Sequence, residues 1–280
     1  MNPSAAFSYP RVLSIAGSDS GGGAGIQADL KTFAALGCYG MTAITALTAQ
    51  NTLGVRSIHA VPEAILTDQI DAVVEDIGVD AVKIGMLHSA ATVRTVAAAL
   101  QRHGLQRVVL DPVMVATSGA KLIADAAIEV LVRELFPRAI VVTPNLDEAA
   151  LLVGRALASE ADMEAAARAL LARGARAVLL KGGHLAGDTV SDLLLINGAP
   201  ALWMRAPRIA TVNTHGTGCT LSSAIASHLA LGADLTQAVQ GARAFVRAGL
   251  QAGAQVRTGA GSGPLNHGHA PQPLQLRPLA

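Results

Sequence analysis

Val12-Leu13-Ser14-Ile15-Ala16-Gly17 is an apolar run that stops on a glycine, and residues 25–36 then place Ile26, Leu30, Phe33 and Ala34 at helical spacing. A strand, a glycine-rich loop and a helix in that order open a parallel sheet. Working outward, strands are expected at 41–47 and 57–61, and a helix at 62–75, whose Pro62 suits a first helical turn. The alternation then becomes regular. Strands at 81–84, 108–110, 140–142 and 178–180 are separated by helices at 90–103, 125–135 and 160–173. Past that point the pattern turns antiparallel: residues 190–196, an Asn197-Gly198 turn and residues 201–205 read as a hairpin at one sheet edge. Two helices close the chain, one from Gly218 and one from Asp234. Asp234 with Gln237 and Ser159 with Asp162 form N-terminal capping pairs. The expected fold is therefore α/β, with a mostly parallel central sheet, helices on both faces and an antiparallel edge hairpin.

The same opening stretch carries a look-alike. Gly23-Ala24-Gly25-Ile26-Gln27-Ala28 matches the dinucleotide fingerprint G-x-G-x-x-A, but its glycines begin several residues past the strand. The next strand also ends in Gln50, not in a ribose-binding carboxylate. These two features argue against a nicotinamide or flavin dinucleotide. The sequence has no G-x-x-x-x-G-K-[ST] segment either, so any phosphate is held elsewhere.

Composition narrows the ligand. With 280 residues, 51% hydrophobic and 15% charged, the chain can bury a sizeable core, and its formal charge of +1 provides no strong field for nucleic acid or an anionic membrane. A small-molecule ligand is expected, with neither nucleic acid nor membrane as partner. Residues 32–55 contain no charged side chain, but their glycines, Gln50, Asn51 and threonines suit a buried helix end plus a strand better than a membrane span. Cys38 and Cys219 have no metal-type spacing, which points to a reducing compartment and so to the cytoplasm. Residues 1–10 lack the pattern of a secretory signal and are expected to be loose. Residues 11–252 form one expected domain, and 253–280 a mostly irregular tail. A homodimer is the expected assembly.

The chemistry collects where the apolar runs end, since an open parallel sheet binds ligands outside the carboxyl ends of its strands. Polar residues stand at each of those places: Gly17-Ser18-Asp19, Gln50-Asn51, Asp111, Thr143-Pro144-Asn145 and Lys181-Gly182-Gly183-His184. Each alone also reads as an ordinary loop residue. Together, Asp111, Glu148 and Asn145 make an oxygen set suited to Mg²⁺, directly or through water, and Lys181 is placed to neutralise phosphate oxygens. The segment Val212-Asn213-Thr214-His215-Gly216-Thr217-Gly218-Cys219-Thr220-Leu221 runs into a helical pattern. Its glycine turn therefore presents unpaired backbone N–H groups and about half a positive charge to an anion. Cys219 there is either an acidified base or nucleophile, brought down from about 8.5 by the helix terminus, or an inert buried thiol.

Several stretches together resemble a known family. They are residues 16–32, Ala49-Gln50-Asn51-Thr52, Lys83-Ile84-Gly85-Met86-Leu87, Asp111-Pro112-Val113-Met114, residues 143–149, Lys181-Gly182-Gly183-His184 and His215-Gly216-Thr217-Gly218-Cys219-Thr220. They are similar to the hydroxymethylpyrimidine/phosphomethylpyrimidine kinases of thiamine biosynthesis, over residues 12–269. The resemblance implies a ribokinase-like three-layer fold, ATP with Mg²⁺, and two successive phosphorylations of 4-amino-5-hydroxymethyl-2-methylpyrimidine. It implies Cys219 as the residue taking the alcohol proton, beside the Gly216 and Gly218 turn. Gln50 matches the residue that pairs with the pyrimidine edge, and Gly17, Asp29, Met86 and Val113 match its pocket. Thr217, Asn145 and Lys181 are the expected nucleotide contacts. The rival readings are a pyridoxal-type kinase, differing only in the ring pocket, and a non-catalytic small-molecule or nucleotide-binding protein. Met86 also reads as plain core filling.

Overall fold

The computed structural model describes residues 6–114 and 123–279. Among these residues the main sheet has nine strands: β2 (Arg11–Asp19), β3 (Tyr39–Asn51), β4 (Gly54–Ala60), β5 (Ala81–Ile84), β6 (Val108–Leu110), β7 (Val141–Val142), β8 (Ala177–Leu180), β9 (Thr189–Ile196) and β10 (Leu202–Pro207). They lie in the order β10-β9-β8-β7-β6-β5-β2-β3-β4, parallel from β8 to β3, with antiparallel strands at both edges. The hairpin expected at 190–205 is the β9–β10 edge. The other edge goes beyond the sequence reading. β3 outruns its expected 41–47: residues Ala46 to Asn51 pair with β4 while pairing with β2 ends at Thr48, carrying Gln50 out past the end of β2.

Side-chain alternation explains why these short strands read as unbroken apolar runs. Leu13, Val82, Val108, Leu110, Val142, Val178 and Leu180 face one core, and Val12, Ala81, Val109, Val141, Ala177 and Leu179 face the other. The first core is closed by α2 (Glu63–Asp76), α3 (Ala90–Arg102), α4 (Asp125–Leu135), α5 (Leu146–Val153) and α6 (Glu160–Ala172). The second is closed by α1 (Gly25–Ala35), α7 (Thr217–Ala230) and α8 (Leu235–Gly253). The layers are helix, sheet, helix. Asp234 and Gln237 form a full capping box on α8, and Ser159 accepts the Asp162 N–H on α6, as their spacing predicts.

Three elements were not legible: α5, β1 (Phe7–Ser8) and β11 (Arg277–Pro278). α5 starts at an Asn145–Glu148 capping box, a pair read in the sequence as cation ligands. Of the ten residues expected to be loose, the first five lie outside the described residues, and β1 pairs with β11. The tail after α8 is otherwise irregular, yet it packs on the domain through buried Leu265 and His267. Residues 32–55 divide between the end of α1, β3 and the start of β4, and no helix among the described residues is long and apolar enough to cross a membrane.

Candidate active site

The parallel strands deliver their last residues to one edge, where a cavity of about 400 Å³ is lined by Gly17, Asp19, Gln50, Lys83, Met86, Asp111, Val113, Asn145, Glu148, Lys181 and the turn from Thr214 to Cys219. A second cavity of about 250 Å³ meets it at Lys181, His184, Thr214, Thr217 and Gly218, and runs between β9 and α8 past Val246 and Leu250. Two compartments thus join at one turn.

That turn is set by glycine. Gly216 is the N-cap of α7 with φ of 77°, and a Cβ there would come within 1.8 Å of the Gly23 carbonyl oxygen, so no other residue fits without moving the opposite loop. Thr217 N–H turns back to Thr214 O and Thr220 N–H to Gly216 O, leaving Gly218 and Cys219 as the backbone donors at the cavity. Gly218 lies so close to Lys181 that a Cβ would stand 3.2 Å from Nζ. Thr217 Oγ1 donates to Thr214 O.

Lys181 sits between two carboxylates. Its Nζ donates to Asp111 Oδ1 at 2.9 Å and lies 3.9 Å from Glu148 Oε2. Thr143 Oγ1 donates to the same Asp111 oxygen. Burial works against the Lys181 charge, but Asp111 and Glu148 outweigh it and hold the ammonium above its usual range. Burial pushes Glu148 up to about 7, against the pull of Lys181 and with the help of the Asp111 charge. Asn145 lines the cavity and is also tied to Glu148: its Oδ1 accepts the Glu148 N–H, and its own N–H donates to Glu148 Oε2 at 2.8 Å. It caps a helix and shapes Glu148. Asp111 and Glu148 remain as carboxylates facing the cavity, a donor set that fits Mg²⁺ held mainly through phosphate and water.

Of the two readings of Cys219, the acidified thiol is the one its surroundings oppose. Cys219 opens onto the cavity, but burial pushes its thiol up to about 11; Lys83 opposes this, while Asp29 and Asp111 add to it. The helix terminus does not win, because desolvation of a thiolate among carboxylates exceeds what a half-charge can offset.

Asp29 is not among the cavity-lining residues. It is fully buried beneath them, where both its oxygens take Lys83 Nζ at 2.8 Å and one each the hydroxyls of Ser14 and Ser223. The expected pocket residue is thus the counter-ion of Lys83, which does line the cavity. Lys83 is the residue the sequence reading missed, and its signal was a lysine inside the apolar run Ala81-Val82-Lys83-Ile84. Gly17 and Met86 are where expected. A Cβ on Gly17 would meet the Met86 methyl at 2.6 Å, so the thioether lies across the bare backbone. Val113 lines the same cavity.

At the far end, Asp19 receives the N–H groups of Gly21, Gly23 and Ala24, and pairs with His215 Nε2 at 2.9 Å. Burial alone would raise this carboxyl; the His215 contact and the Ala24 and Gly21 N–H groups bring it below its usual range. His215, just before the anion turn, was read only as part of a motif.

The phosphomethylpyrimidine kinase family matches residues 19–266. Hydroxymethylpyrimidine/phosphomethylpyrimidine kinase of Rhizobium meliloti (strain 1021) is 54% identical, covering 92% of this chain and 96% of its own. Among solved structures, an ADP complex of Bacillus subtilis pyridoxal kinase superposes with a TM-score of 0.86 at 37% identity, covering 93% of this chain and 98% of its own. Phosphomethylpyrimidine kinase from Clostridium difficile 630 does so with a TM-score of 0.74 at 42% identity, covering 85% and 97%.

Proposed function

Because the chain belongs to the phosphomethylpyrimidine kinase family and has its ribokinase-like fold, we propose that it phosphorylates 4-amino-5-hydroxymethyl-2-methylpyrimidine and then its monophosphate, with ATP and Mg²⁺, for thiamine biosynthesis. The observation that carries this reading is the junction of the two cavities at Gly218 and Lys181. An alcohol in the larger cavity and a nucleotide in the smaller meet at a turn of backbone donors beside a fixed ammonium. Phosphoryl transfer through a loose transition state needs mainly such positioning and charge stabilisation. Gly218 and Cys219 N–H groups and Lys181 are placed to take the charge that develops on the transferred group. Mg²⁺, near Asp111 and Glu148, would neutralise phosphate oxygens.

Gln50 is placed to answer the donor and acceptor of an aminopyrimidine edge, with Met86 and Val113 on the ring faces. Cys219, protonated at neutral pH, accepts the alcohol proton only at the expense of its own. Its base role is therefore subordinate to the anion turn. The alternative of a pyridoxal kinase is favoured by the likeness to the Bacillus subtilis enzyme, and the ring pocket decides between them. Exposed Leu47, Leu53 and Ile58 around the β4 edge support the homodimer, to be checked by light scattering. ADP release by the purified protein, measured with the pyrimidine, its monophosphate, pyridoxal and ribose, tests the main reading. Turnover of both pyrimidines is expected; release with pyridoxal alone would overturn it.

A further inference from the structure

Gln50 has a carboxamide whose two arms look alike in shape but opposite in chemistry, and its neighbours are not indifferent to which arm they meet. We propose that His215 and Thr48 fix which way round the Gln50 carboxamide faces the cavity, making them positioning residues that set the order of donor and acceptor demanded of the substrate ring. The inference rests on the reading above, in which Gln50 meets the edge of an aminopyrimidine.

The first constraint comes from Asp19. An ionised carboxylate only accepts, so His215 Nε2, 2.9 Å from Asp19 Oδ2, carries its hydrogen on that nitrogen. A nitrogen so committed has no lone pair for the Gln50 Nε2 that lies 3.4 Å away. The second constraint comes from Thr48. Its Oγ1 stands 2.9 Å from Ser18 O and 3.1 Å from Gln50 Oε1. A backbone carbonyl only accepts, so the single hydroxyl hydrogen goes to Ser18, and Thr48 is left able only to accept from Gln50.

Both neighbours therefore ask for the same thing. A half-turn of the amide about its last bond exchanges oxygen and nitrogen with little change of shape. It puts the oxygen opposite the His215 N–H, which Asp19 then shares with it as the nearer acceptor, and the amino group opposite the Thr48 hydroxyl. His215 cannot turn away to escape this, since its ring packs so tightly on Gly23 that a Cβ there would approach Cδ2 to 2.5 Å. Its backbone is held as well, by a hydrogen bond to Gly263 O.

The remaining amide oxygen lone pair then lies on the His215 side, next to the Gly216 turn, and the remaining N–H lies on the Thr48 side. A ring with an amino group beside a ring nitrogen fits with its amino group towards His215. In the proposed substrate the hydroxymethyl carbon is attached beside the amino-bearing carbon, so this order carries the hydroxyl towards the turn from Gly216 to Cys219. The reversed amide would carry it away. Pyridoxal has no amino group beside its ring nitrogen and gains nothing from the order.

Steady-state kinetics of Gln50→Leu, Thr48→Val, Thr48→Ser and His215→Leu, each checked for folding by its melting curve, test the proposal. Thr48→Val keeps the shape and removes the acceptor. It is expected to raise KM for the pyrimidine about tenfold, the scale of one hydrogen-bond partner removed from a part-buried site. KM for ATP should stay unchanged, and the preference for pyrimidine over pyridoxal in kcat/KM should fall by a similar factor. Thr48→Ser should restore both, and His215→Leu should act in the same direction as Thr48→Val. If Gln50→Leu raises KM while Thr48→Val alters neither KM nor preference, the orientation role is overturned and the ring reading stands. If Gln50→Leu changes nothing, the ring reading fails and takes the orientation role with it.

Discussion

Lys83 and Lys181 both bring an ammonium to the same cavity, and they are held in opposite ways. Lys83 and Asp29 have side chains with no exposure at all, and every polar atom of the pair is answered by the other or by Ser14 and Ser223. Lys181 keeps 14% of its side chain exposed and shares a single direct hydrogen bond with Asp111, with Glu148 further off. The Asp29 carboxylate is saturated and its lysine is closed in with it; Lys181, with one direct hydrogen bond and an open side, is left with more donors to spare. A saturated pair fixes geometry, since moving either member strands a charge in a dry site. A partly satisfied ammonium is the one that can bind an anion that arrives. Identical residue types are thus held closed at β5 and left open to an arriving anion after β8, and only their partners tell them apart.

The largest effect expected from this contrast is on stability. Asp29→Asn leaves Lys83 charged and unpaired in the interior, a loss of about 3–5 kcal/mol, to be read from chemical denaturation. A variant as stable as the parent would show that the pair does not hold the site. Lys181→Met should do the reverse, lowering kcat by about 10²–10³-fold, the scale of one removed transition-state donor, with an almost unchanged melting temperature. A comparable loss of melting temperature there would erase the distinction between the two lysines.

Smaller effects sharpen it. Cys219 lies between the two lysines' counter-ions, and Cys219→Ala is expected to lower kcat about 10²-fold, the low end of general-base assistance. With the thiol up at about 11, kcat/KM should keep rising through the alkaline range, and no acid limb from this residue should appear near neutrality. A limb that vanishes in the alanine variant would restore an acidified thiol. Glu148 gives the smallest effect. Its carboxyl titrates at about 7 in the folded chain, well above its usual value, so the folded state holds a proton that the unfolded state has already lost. Stability attributable to this proton is complete at acid pH and fades as pH rises through 7. Glu148→Gln keeps an acceptor for the Asn145 cap and cannot ionise, so its melting temperature should gain on the parent's from about pH 4.3 upward and level off above 7. A difference independent of pH would contradict the raised carboxyl.

The sequence by itself determined the order of layers and the place of the site. The strands at 81–84 and 108–110 are where their apolar runs lie, because a strand buried on both faces reads as a near-continuous apolar run, interrupted here by Lys83 alone. Local chemistry fixed the α6 and α8 starts, since a capping pair needs only residues three apart. The turn at Gly216 was legible for the same reason, being a matter of backbone freedom at one residue. Only the tertiary structure decided what burial and distant partners control. Asn145 and Glu148 cap α5 by their local spacing, but the burial that lifts the Glu148 carboxyl comes from the assembled site. Asp29 matched a pocket motif, yet packing placed it under Lys83, fifty-four residues away in the chain. Cys219 has a helix terminus in its sequence but a desolvated cluster of carboxylates in its space, and desolvation is the stronger influence. Spacing along the chain records interactions within a turn or a strand. The electrostatics of a buried group depend on everything around it, and that is assembled only when the sheet closes.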